Sequence, residues 1–199
     1  MKILAAGDLH GDKTAAKELA ERAVKEHVDL VILNGDIVEE GDVEGIVGIF
    51  KEKNQKVLIL PGNHEMPATT QFLADLYGFT NIHAYSMQLG DIGLFGCGGA
   101  NMGLNQLNDK ETFYALKSGF ERVKKSQKKV MVTHMHPANT MIEKFSQFVV
   151  GSKGLKKAID EFQPDILICG HVHEAEGIEE KIGKTTVINV GKKGKIIEL

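Results

Sequence analysis

The chain has 199 residues, of which 42% are hydrophobic and 26% charged, and its net charge is −3. That length and apolar content suit a single domain spanning residues 1–199 with a core of its own, and argue against disorder. The acidic balance argues against an unspecific grip on nucleic acid. No apolar run approaches the ~18–20 residues of a membrane span.

The N-terminal residues, Met1-Lys2-Ile3-Leu4-Ala5-Ala6-Gly7-Asp8, are too briefly apolar for a signal-peptide core and read as a first strand. Further short apolar runs at residues 30–33, 57–60, 130–132 and 166–169 read as strands buried on both faces. Between them lie helical stripes. Ala16, Leu19, Ala20, Ala23 and Val24 form the first, and Val43, Ile46, Val47 and Phe50 the second. Residues 69–77 read as another helix. Phe113, Leu116, Phe120 and Val123 make one more stripe, and Leu155, Ala158, Ile159 and Phe162 the last. Residues 87–89 and 92–95 flank Gly90-Asp91 as a hairpin. Residues 178–181, 185–190 and 195–199 read as a closing meander. The expected fold is α/β, a two-sheet β-sandwich core flanked by helices in four αββα layers.

The residues that end the apolar runs carry the chemistry. Five runs terminate in Asp8-Leu9-His10, Asn34-Gly35-Asp36, Gly62-Asn63-His64-Glu65, Thr133-His134 and Gly170-His171-Val172-His173. In α/β sheets the carboxyl edge is where ligands bind, so parallel strands would gather these groups. Asp8 and His10 alternate by two and would share one side if the strand stays extended through Leu9, as would His171 and His173. The glycines before Asp8, Asp36, Asn63 and His171 are expected to let the chain turn sharply. The donors are mixed oxygen and nitrogen without thiolate. That suits manganese, iron, zinc, cobalt or nickel, and their number suits two ions with Asp36 as the bridge. Cys97 and Cys169 have no CxxC spacing and suit a reduced, cytoplasmic protein.

In this order the motifs resemble those of the calcineurin-like metallophosphoesterases: Asp-x-His, Gly-Asp, Gly-Asn-His-Asp/Glu, a lone His after a strand, and Gly-His-x-His. The resemblance implies one metal on Asp8, His10, His173 and the bridging Asp36, and a second on Asp36, Asn63, His134 and His171. His64 would be no ligand but the catalytic group over the substrate. The implied activity is hydrolysis of a small-molecule phosphate ester, with phosphodiesters slightly favoured, by direct attack of a metal-bound hydroxide. Manganese is the expected metal. A nuclease and a catalytically weak protein-binding scaffold are the competing readings, and a homo-oligomer stays open. Where some members carry a second Asp that orients the catalytic His, this chain has Glu39, one methylene longer.

His136 is read either as lining the site or as a plain turn residue, and His27 and His83 as structural or solvated. Residues 96–108 and 137–154 are expected to border the cleft. The lysines at 124, 125, 128 and 129 read as a solvated helix end, and Lys192, Lys193 and Lys195 as a hairpin rim.

Overall fold

A computed structural model describes residues 1–39, 45–146 and 148–199. Two sheets face each other. The first holds β1 (Lys2–Ala6), β2 (Leu30–Leu33), β3 (Val57–Ile59), β4 (Thr80–Asn81) and β11 (Lys195–Glu198), in the order β11-β1-β2-β3-β4. The second holds β5 (Ser86–Leu89), β6 (Ile92–Cys97), β7 (Lys128–Thr133), β8 (Ile166–Cys169), β9 (Glu179–Ile182) and β10 (Thr185–Asn189), in the order β5-β6-β7-β8-β10-β9. β1 to β4 run parallel, and so do β6, β7, β8 and β10, with antiparallel strands at the edges.

Strand alternation divides the core into three layers. Ile3, Ala5, Ile32 and Leu58 point between the sheets at Leu94, Val130, Val132, Ile168 and Ile188. Their neighbours Leu4, Ala6, Val31 and Leu33 point outward under α1 (Lys13–Lys25), α2 (Ile46–Glu52) and α3 (Pro67–Tyr77). On the other side Phe95, Met131 and Leu167 pack under α4 (Asp109–Val123) and α6 (Lys153–Phe162), where the Phe120 and Phe162 rings stack at 4.4 Å. Each buried Leu, Ile or Phe contributes about 1.5–3 kcal/mol. The four-layer αββα sandwich is as expected. Val43 lies outside the described residues.

Three elements differ from the sequence reading, one of them the short strand β4, which went unread. The closing strands are not one meander: β9 and β10 form a hairpin on the second sheet, but β11 crosses to the first and pairs antiparallel with β1. The crossing covers the open edge of β1 and buries Ile197 between the sheets. It passes through Gly194 at φ +65°, where a Cβ would stand 3.0 Å from the Ala5 carbonyl oxygen. A short helix, α5 (Met141–Phe145), also went unread; Thr140 caps it by accepting from the Glu143 N–H. Among the described residues, no helix is long and apolar enough to cross a membrane.

Candidate metal centre

The carboxyl ends of both sheets meet at one rim. The Asn34 side-chain amide there donates to the Thr133 carbonyl at 3.0 Å, tying β2 to β7. The backbone reaches the site by a different route from the expected one. β1 stops at Ala6, and Asp8 and His10 take left-handed conformations at φ 55° and 46°. Extended alternation therefore does not bring them together. Instead residues 8–11 lie against residues 35–37, with Asp8 N–H on the Gly35 carbonyl at 3.0 Å and His10 N–H on the Asp36 carbonyl at 2.9 Å. Asp36 (φ 49°) and His171 (φ 71°) are left-handed too, and His173 opens a single 3-10 turn, so the second His-x-His is not extended either. Such backbone costs about 1–3 kcal/mol per residue and clusters at functional sites.

The glycines serve mostly as space. Of the four, only Gly35 (φ +105°) has positive φ. A Cβ on Gly7 would lie 2.3 Å from Asn34 Oδ1, on Gly62 2.0 Å from Asp36 Oδ1, and on Gly170 2.8 Å from Asp8 Oδ2. The turning is done by the carboxylate and imidazole residues themselves, and the glycines let other strands approach them.

The structure gathers all seven expected ligands. Asp8, His10 and His173 offer donor atoms within 4.8 Å of one another, as do Asp36, His134 and His171, and a third such group joins His10 and Asp36 to the expected catalytic residue His64. Asp36 stands between the groups, its Oδ2 lying 3.1 Å from His134 Nε2 and 3.8 Å from His10 Nε2. Asn63 Oδ1 is 3.0 Å from His134 Nε2. His64 holds Asp36 through its backbone N–H, 2.9 Å from Oδ1, while its ring stands half-exposed with Nε2 4.0 Å from Asp36 Oδ2.

This arrangement fits divalent cations. His134 Nδ1 faces the Asn34 carbonyl oxygen at 3.0 Å, and that oxygen only accepts, so Nδ1 carries the proton. Nε2 then presents a lone pair to two further acceptors, Asp36 Oδ2 and Asn63 Oδ1. Three acceptors converge there, and either a second proton on His134 or a cation satisfies them. His10 Nε2 and His171 Nε2 are likewise buried without a hydrogen-bond partner.

The charges respond to this crowding. Burial pushes Asp36 up, but the His134 imidazole and the bonds from His134 and His64 outweigh it and hold the carboxyl below the usual range. Burial disfavours the His134 cation, yet Asp36 raises that imidazole to about 9. Burial, with His134 nearby, pushes His171 down to about 3. Without cations, then, one shared proton fills the place between His134 and Asp36.

Several supporting residues were not legible in the sequence, or were read differently. Glu39 Oε1 lies 3.3 Å from His10 Nδ1, so this carboxylate backs one of the expected ligands. Buried Glu65 accepts from the Ile37 N–H at 3.0 Å and steadies the turn after Asp36, and burial pushes it up to about 8. Asn189 ends β10 and donates to the Val172 carbonyl at 2.9 Å, fixing the His171–His173 turn. It is a polar residue ending an apolar run, the same signal that marked Asn34. Residues 98–105 buttress the Asn63 turn, with Leu104 N–H on the Asn63 carbonyl at 2.8 Å and the Asn105 amide on the Gly62 carbonyl at 3.0 Å. His136 is fully buried beside His171, their ring centroids 6.5 Å apart. His83 Nδ1 accepts from the Gly98 N–H, a structural role.

Comparison with known proteins agrees with this geometry. The model of the calcineurin-like phosphoesterase family matches residues 1–175. An uncharacterised protein of Methanocaldococcus jannaschii is 30% identical over 206 residues, covering 99% of this chain and 91% of that protein. The crystal structure of TT1561 of Thermus thermophilus superposes with a TM-score of 0.78 at 18% identity, over 96% of this chain and 90% of that one. A novel archaeal phosphodiesterase gives a TM-score of 0.58 at 20% identity, over 96% and 84%. At those identities the two structures establish a shared fold, and the family match establishes kinship. The chain belongs to the calcineurin-like phosphoesterase family, whose members are metal-dependent phosphoric ester hydrolases.

Proposed function

We propose that the protein hydrolyses a small phosphate ester, diesters ahead of monoesters, at a centre of two divalent ions. Asp8, His10, Asp36 and His173 would hold one ion, and Asp36, Asn63, His134 and His171 the other. The observation that carries this reading is the convergence of acceptors about Asp36, with His134 tautomerically set to offer Nε2. Manganese is the expected ion for such an oxygen and nitrogen donor set. Bound there, the pair of ions would supply a nucleophile from water near neutral pH and offset charge on the phosphoryl oxygens.

The protein's own groups do the rest. His64 is tethered by its backbone to Asp36 while its ring stays half-exposed above the cluster. From there its imidazole can donate a proton to the departing ester oxygen as the P–O bond breaks, a step typically worth ~10²–10⁴-fold. His173 is also exposed, which supports an open rim of the kind a diester needs. The free, buried Cys97 and Cys169 suit a reducing compartment.

The test is protein stripped by chelator and reloaded with manganese, assayed on a chromogenic phosphodiester and the matching monoester. Two ions per chain and faster turnover of the diester are expected. No turnover of either with manganese, iron, zinc, cobalt or nickel overturns the reading.

A further inference from the structure

Two cavities border the metal centre, and they differ in chemistry. One, of about 700 Å³, runs from His173 along the start of α1 and is walled by charged residues including Asp12, Arg22, Lys192 and Lys193. These charges are already engaged. Lys192 pairs with Asp12, Lys193 pairs with Glu176, and Arg22 donates to the carbonyls of Lys193 and Gly194.

The other cavity, of about 350 Å³, has His171 and His173 in its wall and Phe145, Phe148 and Val149 as its apolar surface. Phe148 is 87% exposed, the most exposed large hydrophobic side chain among the described residues, and Phe145 is 46% exposed. Hydrogen bonds fasten the backbone at residues 139 and 149–151. Glu143 accepts from Asn139 N–H and Gly151 N–H through its two oxygens, Ser146 Oγ accepts from Val149 N–H at 2.7 Å, and the Asn101 amide holds the Val150 carbonyl at 2.7 Å. Aromatic surface thus stands in water beside two candidate ligands. Apart from the two histidines, the one ionisable side chain in this cavity's wall is Glu174. A carboxylate there disfavours a second phosphoryl group and accepts a hydrogen bond from a ring amine.

We propose that this cavity receives the organic substituent of the ester and selects a flat, uncharged ring, a nucleobase or an aryl group, over a small alkyl group. The inference rests on the metal-centre reading given above. A phosphoryl group held at the metal centre would have His171 and His173 as neighbours, and both line the cavity that Phe148 also walls. Stacking of a base on an aromatic side chain is worth roughly 5- to 150-fold per ring.

The experiment compares esters whose departing oxygens are alike: the methyl diesters of adenosine 5′-phosphate and ribose 5-phosphate, and those of naphthylethyl phosphate and ethyl phosphate. In the manganese-loaded protein the ring-bearing member of at least one pair should show a KM lower by about tenfold, with kcat within about threefold. Phe148→Ala should bring that KM ratio to within about threefold of one, whereas Phe72→Ala, on exposed α3, should preserve it. Selectivity in both pairs identifies any flat ring as the ligand, and selectivity in the adenosine pair alone identifies a nucleobase. Equal KM values within each pair in the unaltered protein, or a ratio that survives Phe148→Ala, overturn the proposal. If none of the esters is hydrolysed, the metal-centre reading falls. Titration with the corresponding non-hydrolysable phosphonates then decides the cavity's role by the same ratios of Kd.

Discussion

Gly62→Ala isolates the claim that glycine is present at this rim for space. Its added Cβ would lie 2.0 Å from Asp36 Oδ1 and 2.2 Å from the Asp36 backbone nitrogen, whereas real Cβ atoms essentially never come within 3.0 Å of such neighbours. The chain must therefore part by about 1 Å. Rotating the carboxylate does not relieve the clash, because the second contact is backbone. Asp36 is also fixed from other sides, by the His64 N–H at 2.9 Å and by His134 Nε2 at 3.1 Å. Overpacking of this kind costs about 1–3 kcal/mol. In a domain of this size that lowers Tm by about 2–12 °C. A misplacement of about 1 Å at reacting groups costs on the order of 10²-fold in rate. Metal content by elemental analysis, thermal melting and phosphodiester turnover are the assays. Gly90→Ala is the control: at φ +56° with nothing within 4 Å of the new Cβ, it should show left-handed strain of about 1–2 kcal/mol and no loss of metal. A Gly62→Ala protein that holds two ions and turns over normally would refute the steric argument and, with it, the bridging place given to Asp36.

His64→Ala should keep its metal content and lose ~10²–10⁴-fold in kcat, since His64 is not among the seven proposed ligands; loss of the ions instead would make His64 a ligand. Glu39→Ala should weaken metal binding by roughly 10–100-fold in competition with a chromophoric chelator, with Glu39→Gln recovering much of it, because the carboxylate sets the His10 ring. Unchanged affinity would make Glu39 a bystander. His136 gives a pH effect in the metal-free protein: burial pushes its imidazole down to about 4, below an unfolded value of ~6.5. The unfolded chain then binds more protons between those values. This contribution to stability is full above pH ~6.5 and is lost as pH falls towards 4, by about 2 kcal/mol at pH 5. Denaturant unfolding at pH 7 and pH 5 should show His136→Leu flattening that part of the slope; an identical slope in the variant contradicts it.

What the sequence discloses about this site follows from how a parallel sheet is built. An apolar run that stops at Asp, Asn or His marks both a strand buried on two faces and the edge where its backbone leaves the core. That is why Asp8, Asp36, Asn63, His134 and His171 were legible without a structure. The partner of each strand is not written in its own periodicity. β11 has an ordinary strand pattern whether it extends the β9–β10 hairpin or crosses to β1, and the unpaired edge of β1 decides between them. The same limit hid the backbone of the expected ligands. A two-residue spacing describes side chains on an extended strand, but Asp8 and His10 are set by hydrogen bonds to residues 35–37, which are remote in sequence.

Glu39 shows how a motif position and a role come apart. Its spacing from Asp36 placed it where a partner for His64 was expected. Its Oε1 instead meets His10, and its Cγ packs over Gly11, which has no side chain to block it: a Cβ there would come to 3.2 Å of that carbon. A carboxylate on a metal-facing imidazole makes the ring a better donor, whereas one on the proton-donating imidazole makes it a weaker acid. The added methylene of glutamate, together with the room left by Gly11, thus places this charge on the proposed ligand His10 rather than on His64.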